Sequence, residues 1–417
     1  MRIVLEKDNV QHVFLVGAKS LGAYGGYETF VYKLTEYHQS NKRIKYHVAC
    51  KANGDGCMDE AKLDSVVKLS NFEFEYHNAR CFKLHIPQIG PAQAIYYDCK
   101  ALKECCRYIK NNNIPHPIIY IMASRIGPFI KFFKRQIHKL EGRVFLNPDG
   151  HEWMRAKWPA PIRLYWKISE RMMVKYCDLV ICDSMHIQRY IHTCYDGEGI
   201  RGGSPKTVFI PYGAELGKSK LTDENKKLIA WYEEKKLSAK NYYLVVGRFV
   251  PENNYEIIIR EFMKSKTNRA LAIITMVNKK FLQELQKKTN YKQDKRIRFV
   301  GAVYDQELLK KIREDAFGYI HGHEVGGTNP SLLESMASTG LNLLLDIGFN
   351  REVAGDSALY WDKKEGSLSY IIEQSDSLDI EKIRELEDKA KKRITKKYMW
   401  QTVVDKYERI FIGEIMK

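Results

Sequence analysis

Short apolar runs alternate with amphipathic stretches along most of the 417-residue chain. Eleven runs have the length and composition of strands: 13–16, 47–50, 118–122, 144–146, 179–182, 207–210, 243–246, 271–276, 298–300, 318–321 and 342–345. Stretches with helical spacing lie between them, for example at 29–38, 97–110, 163–175, 254–263, 305–314 and 380–398. Repeated strand and helix units of this kind build parallel sheets. The alternation therefore predicts an α/β fold.

The predicted strands form two groups, one ending near residue 213 and one starting near residue 243. The segment between them, 215–240, is polar and charged, which is typical of a surface helix that leads into a second domain. At about 150 residues per domain, the length is also compatible with two domains. We therefore predict two Rossmann-like domains.

The chain is strongly basic, with 68 Lys and Arg against 51 Asp and Glu and a net charge of +17. Segment 131–175 has eleven basic and four acidic residues, interleaved with aromatic residues such as Phe132 and Phe133. This pattern is typical of surfaces that bind nucleic acid or an anionic membrane. A solvated helix face over an apolar stripe is the alternative.

The location of the protein is constrained by its apolar runs and its cysteines. The longest apolar runs fall far short of the ~18–20 residues that cross a bilayer, and no charged and apolar leader opens the chain. The nine cysteines are odd in number and include no CxxC pair. Because this pattern does not suggest a disulfide framework, we expect the protein in the reducing cytoplasm.

Two glycine-rich patterns differ in their context. Residues 17–29 follow the first predicted strand, contain Gly25 and Gly26, and lead into a predicted helix. Such a loop lets backbone N–H groups approach an anion, although glycine turns at this place also occur for structural reasons alone. Residues 197–202 instead lie between a helix and a strand, so they lack the strand, loop and helix order of a dinucleotide-binding fingerprint.

Segment 325–340 predicts a short helix whose N-terminus faces a ligand. Asn329 is predicted to be the N-cap, Pro330 the first helical residue and Gly340 the residue at which the helix ends. The preceding turn is rich in glycine, so unpaired N–H groups at 328–331 are predicted to bind phosphate. Glu334, one turn into the helix, is placed to reach a ribose hydroxyl.

Arg248 follows the carboxyl end of the first predicted strand of the second domain, where parallel sheets bind ligands. A guanidinium group can bind a phosphate with two hydrogen bonds, so Arg248 and the helix at 330 together predict a diphosphate pocket. His321, His323 and Glu324 resemble metal ligands, but no further ligand lies nearby at a suitable spacing, and the chain has no DxD pair. No metal or other cofactor is predicted.

Four segments together resemble glycosyltransferase family 4, the retaining GT-B enzymes: Gly-Gly-Tyr-Glu-Thr-Phe at 25–30, Ile-Pro-Tyr-Gly at 210–213, Val-Gly-Arg-Phe-Val-Pro-Glu-Asn-Asn at 246–254 and Asn-Pro-Ser-Leu-Leu-Glu at 329–334. Segments 147–158 and 323–329 are most similar to bacterial rhamnosyltransferases of capsule and cell-wall polysaccharide assembly. The resemblance implies a GT-B fold, in which two Rossmann-like domains face each other across a cleft. Residues 1–213 would bind the acceptor and 214–397 the donor, and 398–417 would form a helix that crosses back to the first domain.

The resemblance implies transfer of L-rhamnose from dTDP-L-rhamnose to a sugar on undecaprenyl diphosphate, with retention of configuration. The expected place is the inner face of the bacterial membrane, with the anionic lipid surface as a partner and no nucleic acid. The implied catalytic residues are Arg248, which would neutralise the leaving diphosphate, and Asp149, which would orient or deprotonate the acceptor hydroxyl. An Asx turn is the alternative for Asp149. The implied donor-binding residues are Gly25, Gly26, Glu324, Gly327, Thr328, Asn329, Ser331 and Glu334, and the acceptor-binding residues are Glu152, Arg155 and Lys157.

The chain departs from the family pattern at two positions. The family usually has Lys where this chain has Asn253, so Lys279 or Lys280 would supply the second cation. The first of two paired glutamates is replaced by Gly326, and Glu324 is expected to take its role. Two alternatives stay open: the same fold with a UDP- or GDP-sugar donor, and a non-enzymatic protein that binds membranes or nucleic acid on a transferase scaffold.

Overall fold

The computed structural model describes residues 10–22, 25–155, 158–197 and 203–414. The strands are Gln11–Val16 (β1), Ile44–Lys51 (β2), Val67–Lys68 (β3), Glu73–Tyr76 (β4), Ala79–Leu84 (β5), Ile118–Met122 (β6), Arg143–Asn147 (β7), Leu179–Cys182 (β8), Thr207–Phe209 (β9), Tyr242–Val246 (β10), Ala270–Ile274 (β11), Ile297–Gly301 (β12), Gly318–His321 (β13), Asn342–Leu345 (β14) and Leu359–Trp361 (β15). The α-helices are Gly26–Tyr37 (α1), Gln93–Asn111 (α2), Gly127–Lys139 (α3), Ala160–Tyr176 (α4), Met185–Tyr195 (α5), Lys226–Lys235 (α6), Tyr255–Lys264 (α7), Lys279–Thr289 (α8), Gln306–Glu314 (α9), Pro330–Ser338 (α10), Gly348–Ala354 (α11), Ser367–Asp376 (α12), Ile380–Arg393 (α13) and Trp400–Phe411 (α14).

The described residues form two compact units. Unit 1 takes the described residues within Met1–Met154, Trp158–Tyr212 and Trp400–Lys417, and unit 2 takes those within Arg155–Lys157 and Gly213–Met399. The sequence predicted a division after residue 213 and again at 398, and it placed Arg155 in the first domain, whereas Arg155 groups with unit 2. The acceptor-binding and donor-binding roles of the two parts stay predictions.

Unit 1 is built on a sheet with the strand order β3-β4-β5-β2-β1-β6-β7-β8-β9 among the described residues. The pairs β3–β4 and β4–β5 are antiparallel, and the other neighbouring strands are parallel. β1 has β2 on one side and β6 on the other, so the strands that follow β1 in the sequence extend the sheet in both directions from it. The carboxyl end of β1, at Gly17, is therefore a place where such sheets bind ligands. Gly17 has φ +118° there, and a Cβ would lie 2.4 Å from the Met122 carbonyl oxygen, so only glycine is accommodated.

Unit 2 is built on a fully parallel sheet with the order β12-β11-β10-β13-β14-β15 among the described residues. Every residue of β10, β11, β13 and β14 is buried, because helices cover both faces of such a sheet. The first strand, β10, lies between β11 and β13, so the corresponding reversal falls at the carboxyl end of β10, next to the end of β13.

The predicted strands and helices agree with the observed ones. All eleven predicted strands are confirmed, with bounds that differ by up to three residues. Within the described ranges, six α-helices begin at a Ser, Asn or Asp whose side chain accepts a hydrogen bond from the first turn: Ser184, Asn225, Asn278, Asp305, Asn329 and Asp379. The predicted helix 380–398 is interrupted, because α13 ends at Arg393 and a π-helical turn, Ile394–Tyr398, follows it.

The C-terminal helix α14 belongs to the core of unit 1. Trp400, Tyr407 and Phe411 are each buried among residues of β1, β2 and β6. The Phe411 ring lies 6.2 Å from that of Tyr120 and 6.4 Å from that of Phe145, measured between centroids. A segment that follows all of unit 2 in the sequence thus completes the apolar core of unit 1.

Removing the Phe411 side chain should destabilise unit 1. We expect Phe411→Ala to lower its free energy of unfolding by about 3–5 kcal/mol, because the substitution leaves a cavity in a packed core. Native-state hydrogen exchange would show faster exchange in β6 and β7 than in the wild type. Gln401→Ala, on the exposed face of the same helix, is the control and should leave these rates unchanged. An equal acceleration in β10 and β11 would contradict the assignment of α14 to unit 1.

Candidate functional site

The carboxyl end of β10 carries Arg248, the residue predicted to bind phosphate. Its side chain is exposed, and its carbonyl oxygen accepts a hydrogen bond from Asn253 Nδ2 at 2.7 Å. The Val246 carbonyl accepts hydrogen bonds from Tyr319 of β13 and from Ser331 of α10, both at 3.2 Å. These contacts bring the three segments 247–253, 321–329 and 330–334 together at one edge of the unit 2 sheet.

The two positions that depart from the family pattern both lie next to His323. Asn253, in the position of the usual lysine, holds its Oδ1 atom 2.6 Å from Nδ1 of His323. Gly326, in the position of the usual glutamate, would place a Cβ 3.1 Å from Nε2 of the same ring. Burial, followed by the charges of Arg248 and Arg155, lowers the pKa of His323 to about 3, against a small opposing effect of the Val325 carbonyl. The imidazole is therefore neutral at pH 7.

Glu324, the expected substitute for the missing glutamate, has protein partners in unit 2. Its carboxylate forms an ion pair with Lys363 and accepts a hydrogen bond from Asn254 Nδ2 at 3.0 Å. Lys279 and Lys280, the expected substitutes for the missing lysine, are exposed in the first turn of α8. The contact of Glu324 with the donor stays a prediction, and in the present structure its charge already compensates a lysine.

The N-terminus of α10 has the predicted cap, and the cap changes what the helix can offer an anion. Asn329 Oδ1 accepts hydrogen bonds from the amides of Ser331 at 2.9 Å and Leu332 at 3.3 Å. Pro330 has no N–H group, and the Leu333 amide donates to the Asn329 carbonyl. The unpaired amides predicted within the first turn are therefore already used. The helix dipole is what remains for a phosphate.

Glu334 forms an ion pair with Arg313 of α9, with 2.5 Å between Oε2 and Nη2. The Arg313 side chain is 5% exposed and that of Glu334 42% exposed, so the carboxylate compensates a nearly buried cation. The predicted contact with a ribose hydroxyl would use the remaining oxygen. No role was predicted for Arg313 from the sequence. Its spacing of four residues from the buried Leu309 on α9 nevertheless places it on the apolar face of that helix.

Gly25, in the glycine loop of unit 1, is explained by a structural role. The Glu28 carboxylate accepts a hydrogen bond from the Lys19 amide at 2.9 Å, and a Cβ on Gly25 would lie 2.0 Å from its other oxygen. Gly26 is exposed, has no neighbour that a Cβ would meet within 4 Å, and its carbonyl accepts a hydrogen bond from the Tyr212 hydroxyl. In the loop predicted to bind the donor, the amide of Lys19 thus already donates its hydrogen bond to the carboxylate of Glu28.

Asp149 lies just beyond the carboxyl end of β7 in the left-handed region, with φ +63°. Its amide donates to Asn147 Oδ1 at 2.9 Å, and its Oδ1 accepts from the Gly150 amide at 2.8 Å, so the Asx turn is present. Burial is the main cause of the raised pKa of the Tyr27 hydroxyl, and the charge of Asp149 is the next. Asp149 is therefore both a turn residue and a charge near a buried phenol that has no hydrogen-bond partner among the described residues.

Two of the three predicted acceptor-binding residues, Glu152 and Arg155, lie within the described residues. Glu152 accepts a hydrogen bond from the Trp158 indole at 2.8 Å. Arg155 is 6% exposed and belongs to unit 2, where its charge contributes to the low pKa of His323. Lys157 lies outside the described residues. Their acceptor-binding role stays a prediction.

Glu252 was missed in the sequence and lies one residue before Asn253. It is 5% exposed, and neither of its carboxylate oxygens has a hydrogen-bond partner among the described residues. Its carbonyl accepts a hydrogen bond from the Glu324 amide, so it lies beside the 323–326 turn. Within the described ranges, no group of three or more His, Cys, Asp and Glu residues is arranged to hold a metal ion. Metal independence stays a prediction.

Comparisons with known proteins agree with this architecture. A family model described as "Domain of unknown function (DUF1972)" matches residues 10–215, just under half of the chain. No curated protein was found to match the sequence.

Among solved structures, sucrose-phosphate synthase from Thermosynechococcus elongatus is similar with a TM-score of 0.70, 14% identity and coverage of 96% of this chain and 98% of that one. HepE from Anabaena in complex with UDP and glucose is similar with a TM-score of 0.69, 14% identity and coverage of 96% and 99%. An E. coli protein described as trehalose-6-phosphate bound with UDP-2-fluoro glucose has a TM-score of 0.72, 11% identity and coverage of 97% and 100%. These structures are GT-B glycosyltransferases, and the chain has the GT-B fold, as predicted.

A side chain at residue 25 should disturb the glycine loop through Glu28. We expect Gly25→Ala to destabilise unit 1 by about 1–3 kcal/mol, because the new Cβ displaces a carboxylate that satisfies a backbone amide. Gly26→Ala is the matched control and should change stability by less than about 0.5 kcal/mol. Denaturant unfolding of the two variants would measure the difference. Equal losses would contradict the role given to Glu28.

Proposed function

We propose that the protein is a retaining glycosyltransferase that moves L-rhamnose from dTDP-L-rhamnose to a lipid-diphosphate-linked sugar in capsule or cell-wall polysaccharide assembly. The observation that carries the proposal is the convergence of Arg248, the 323–329 turn and the start of α10 at the carboxyl ends of β10 and β13. A parallel sheet binds ligands at such a reversal point. The GT-B fold and the two enzyme structures with bound UDP compounds support a nucleotide-sugar donor.

Each proposed role follows from the electrostatics of breaking a glycosyl–phosphate bond. Negative charge grows on the departing diphosphate, and fixed positive groups stabilise that charge in the transition state. Arg248 would supply a full charge, and α10 would supply the positive end of its dipole. The proposal gives no role to a metal ion. Glu334 would bind the deoxyribose, and Asp149 would orient the acceptor hydroxyl at the end of β7.

The identity of the nucleotide rests on the sequence resemblance to rhamnosyltransferases. The same fold with UDP-glucose is the second candidate, because the HepE structure was obtained with UDP and glucose. A panel of dTDP, UDP and GDP in thermal-shift measurements would separate the candidates. A ligand at a hundred times its dissociation constant raises the free energy of unfolding by about 2.7 kcal/mol. A response to none of the three would favour the non-enzymatic alternative.

Arg248→Ala should lower turnover at least about a hundredfold while leaving the fold intact, since removal of one electrostatic contact to the developing charge costs about 2.7–4 kcal/mol. The assay uses the nucleotide sugar that the panel selects and includes EDTA. Arg260→Ala is the control, because Arg260 is an exposed arginine of the same unit that pairs with Glu256 on α7. Unchanged turnover by Arg248→Ala would contradict the diphosphate assignment.

Contact with the membrane is the second part of the proposal, because an undecaprenyl-linked acceptor does not leave the bilayer. No helix within the described residues is long and apolar enough to cross a bilayer. Helix α3 exposes Phe129 and Phe132, and α4 exposes Leu164 and Ile168, each side chain at 47% or more. Exposed cations on the same two helices include Lys131, Arg135, Lys139, Arg163 and Lys167. We name these nine residues the basic apolar face.

The structure corrects two members of the tract predicted from the sequence. Phe133 is 2% exposed and packs in the core, so it cannot lie at the headgroup level. The Lys134 side chain is 12% exposed and pairs with Asp178 at 2.9 Å, so its charge is compensated within unit 1. Phe129 takes the place of Phe133, because it lies three residues before Phe132 on the same face of α3.

The basic apolar face should bind anionic vesicles. In a flotation assay we expect association with phosphatidylglycerol vesicles and release near ~0.5 M salt, because each cation contributes about 1 kcal/mol within a Debye length of the surface. Changing Lys131, Arg135 and Lys139 to Gln, or Phe129 and Phe132 to Ser, should weaken the association. The matched control changes three exposed lysines of unit 2, Lys226, Lys266 and Lys292, to Gln. Equal binding to neutral vesicles, or equal losses in the control, would contradict this surface.

A further inference from the structure

Arg125 lies in the loop between β6 and α3, at the carboxyl edge of the unit 1 sheet, and was not predicted to be a site residue. Its Nη1 atom donates a hydrogen bond to the Gly17 carbonyl at 3.1 Å, at the end of β1. The same atom lies 3.3 Å from the carboxylate of Asp98 on α2, which is fully buried. Burial raises the pKa of Asp98 to about 6, so the carboxylate is still mostly ionised at pH 7. A buried anion therefore anchors one end of the guanidinium, and the Arg125 side chain remains 19% exposed.

The loop that carries Arg125 is held by α4. The Tyr165 hydroxyl donates to the Arg125 carbonyl at 2.8 Å. The Ser169 hydroxyl donates to the Ser124 carbonyl at 2.6 Å and accepts from the Gly127 amide at 2.8 Å. The residues on both sides of Arg125 are thus fixed as well. A guanidinium oriented in this way before a ligand arrives loses less entropy when the ligand binds.

Two of the three guanidinium nitrogens of Arg125 are not used by the protein. Nε and Nη2 have no hydrogen-bond partner among the described residues, and neither is a fully buried atom. A guanidinium can bind a phosphate with two parallel hydrogen bonds from two of its nitrogens. Arg125 therefore has the donors and the charge for a phosphate, while Nη1 alone maintains its anchor.

Arg125 adjoins two features of unit 1 that belong to the proposed acceptor site. Burial is the largest influence on the pKa of the Arg125 guanidinium and lowers it, but nearby acidic groups that include Asp149 raise it above its usual value. Asp149 therefore lies near the guanidinium. Helix α3 begins two residues after Arg125, and Phe129 of the basic apolar face is exposed in its first turn. A lipid-linked acceptor joins its sugar to its lipid through a diphosphate, and Arg125 adjoins the residue predicted to act on the sugar and the helix that exposes the apolar face.

We propose that Arg125 binds the diphosphate of the lipid-linked acceptor through Nε and Nη2. The assignment rests on the proposed function and deepens it, because it names the group of the acceptor that unit 1 recognises. Asp98 is the positioning residue, since it acts through the guanidinium. Arg248 of unit 2 then serves the diphosphate of the donor, and Arg125 of unit 1 serves the diphosphate of the acceptor.

Calorimetry with farnesyl diphosphate, a lipid diphosphate without a sugar, tests the contact. The protein is first saturated with the nucleoside diphosphate that the panel selects, so that the donor site is occupied. Arg125→Gln should weaken farnesyl diphosphate binding at least about tenfold, because hydrogen bonds to a charged group are lost. Arg125→Lys keeps the charge without the two parallel hydrogen bonds and should have intermediate affinity. Arg107→Gln is the matched control, because Arg107 is an exposed arginine of unit 1 that pairs with Glu104, and it should bind like the wild type.

A double variant separates binding from stability. Arg125→Gln alone leaves the buried carboxylate of Asp98 without its cation, which destabilises a folded protein. Combining it with Asp98→Asn removes both charges of the pair. The double variant should lose farnesyl diphosphate affinity to the same extent as Arg125→Gln, with nucleoside diphosphate affinity changed by less than about twofold. Wild-type affinity of the double variant for farnesyl diphosphate would overturn the proposal.

The remaining outcomes distinguish this proposal from the proposed function. Flotation with phosphatidylglycerol vesicles should be unchanged by Arg125→Gln, and a loss equal to that for farnesyl diphosphate would overturn the proposal in favour of a general contact with lipid phosphates. An equal loss of nucleoside diphosphate binding would overturn it in favour of a contact with the donor. A wild type that binds the nucleoside diphosphate but not farnesyl diphosphate would overturn only the role of Arg125. A wild type that binds no nucleoside diphosphate would overturn the proposed function, and this proposal with it.

Discussion

One carbonyl group ties the edge of the unit 2 sheet together. The Val246 oxygen ends β10 and accepts hydrogen bonds from Tyr319 of β13 and Ser331 of α10, and those two hydroxyls lie 3.0 Å apart. A strand end leaves backbone groups that need partners, and here side chains of the neighbouring strand and helix provide them. This junction positions Arg248, Asn253 and the 323–329 turn, since each lies within a few residues of Val246, Tyr319 or Ser331 in the sequence.

The buried parallel strands could be predicted from sequence because both of their faces are apolar. β3, β4, β5 and β15 were missed for different reasons. β3 is two exposed residues long and β15 is three residues long, which is too short for a pattern. β5 contains Arg80, whose guanidinium is buried against Glu73 and over the Tyr108 ring. Its burial depends on partners in other elements, and these do not appear in the local sequence.

The candidate site was predictable where the signal is local. Asn329 followed by Pro330 indicated a capped helix, and the cap is observed. The number of amides left to bind a phosphate was not predictable in the same way. It depends on which amides donate hydrogen bonds to the side chain of Asn329. The partners of Glu324 and His323, namely Lys363 and Asn253, lie 39 and 70 residues away in the sequence. Such contacts follow from the sheet topology and could not be inferred from spacing.

Asn253 and Gly326, which replace the Lys and Glu of the family pattern, have to be considered together. It removes one positive and one negative charge, so the net charge of this edge is unchanged. A lysine at 253 alone would add a cation beside Arg248 and remove the acceptor that orients His323. A glutamate at 326 alone would place a side chain against Nε2, in a backbone conformation that favours glycine. Each reversal alone changes the surroundings of the His323 ring, because Asn253 and Gly326 both lie beside it.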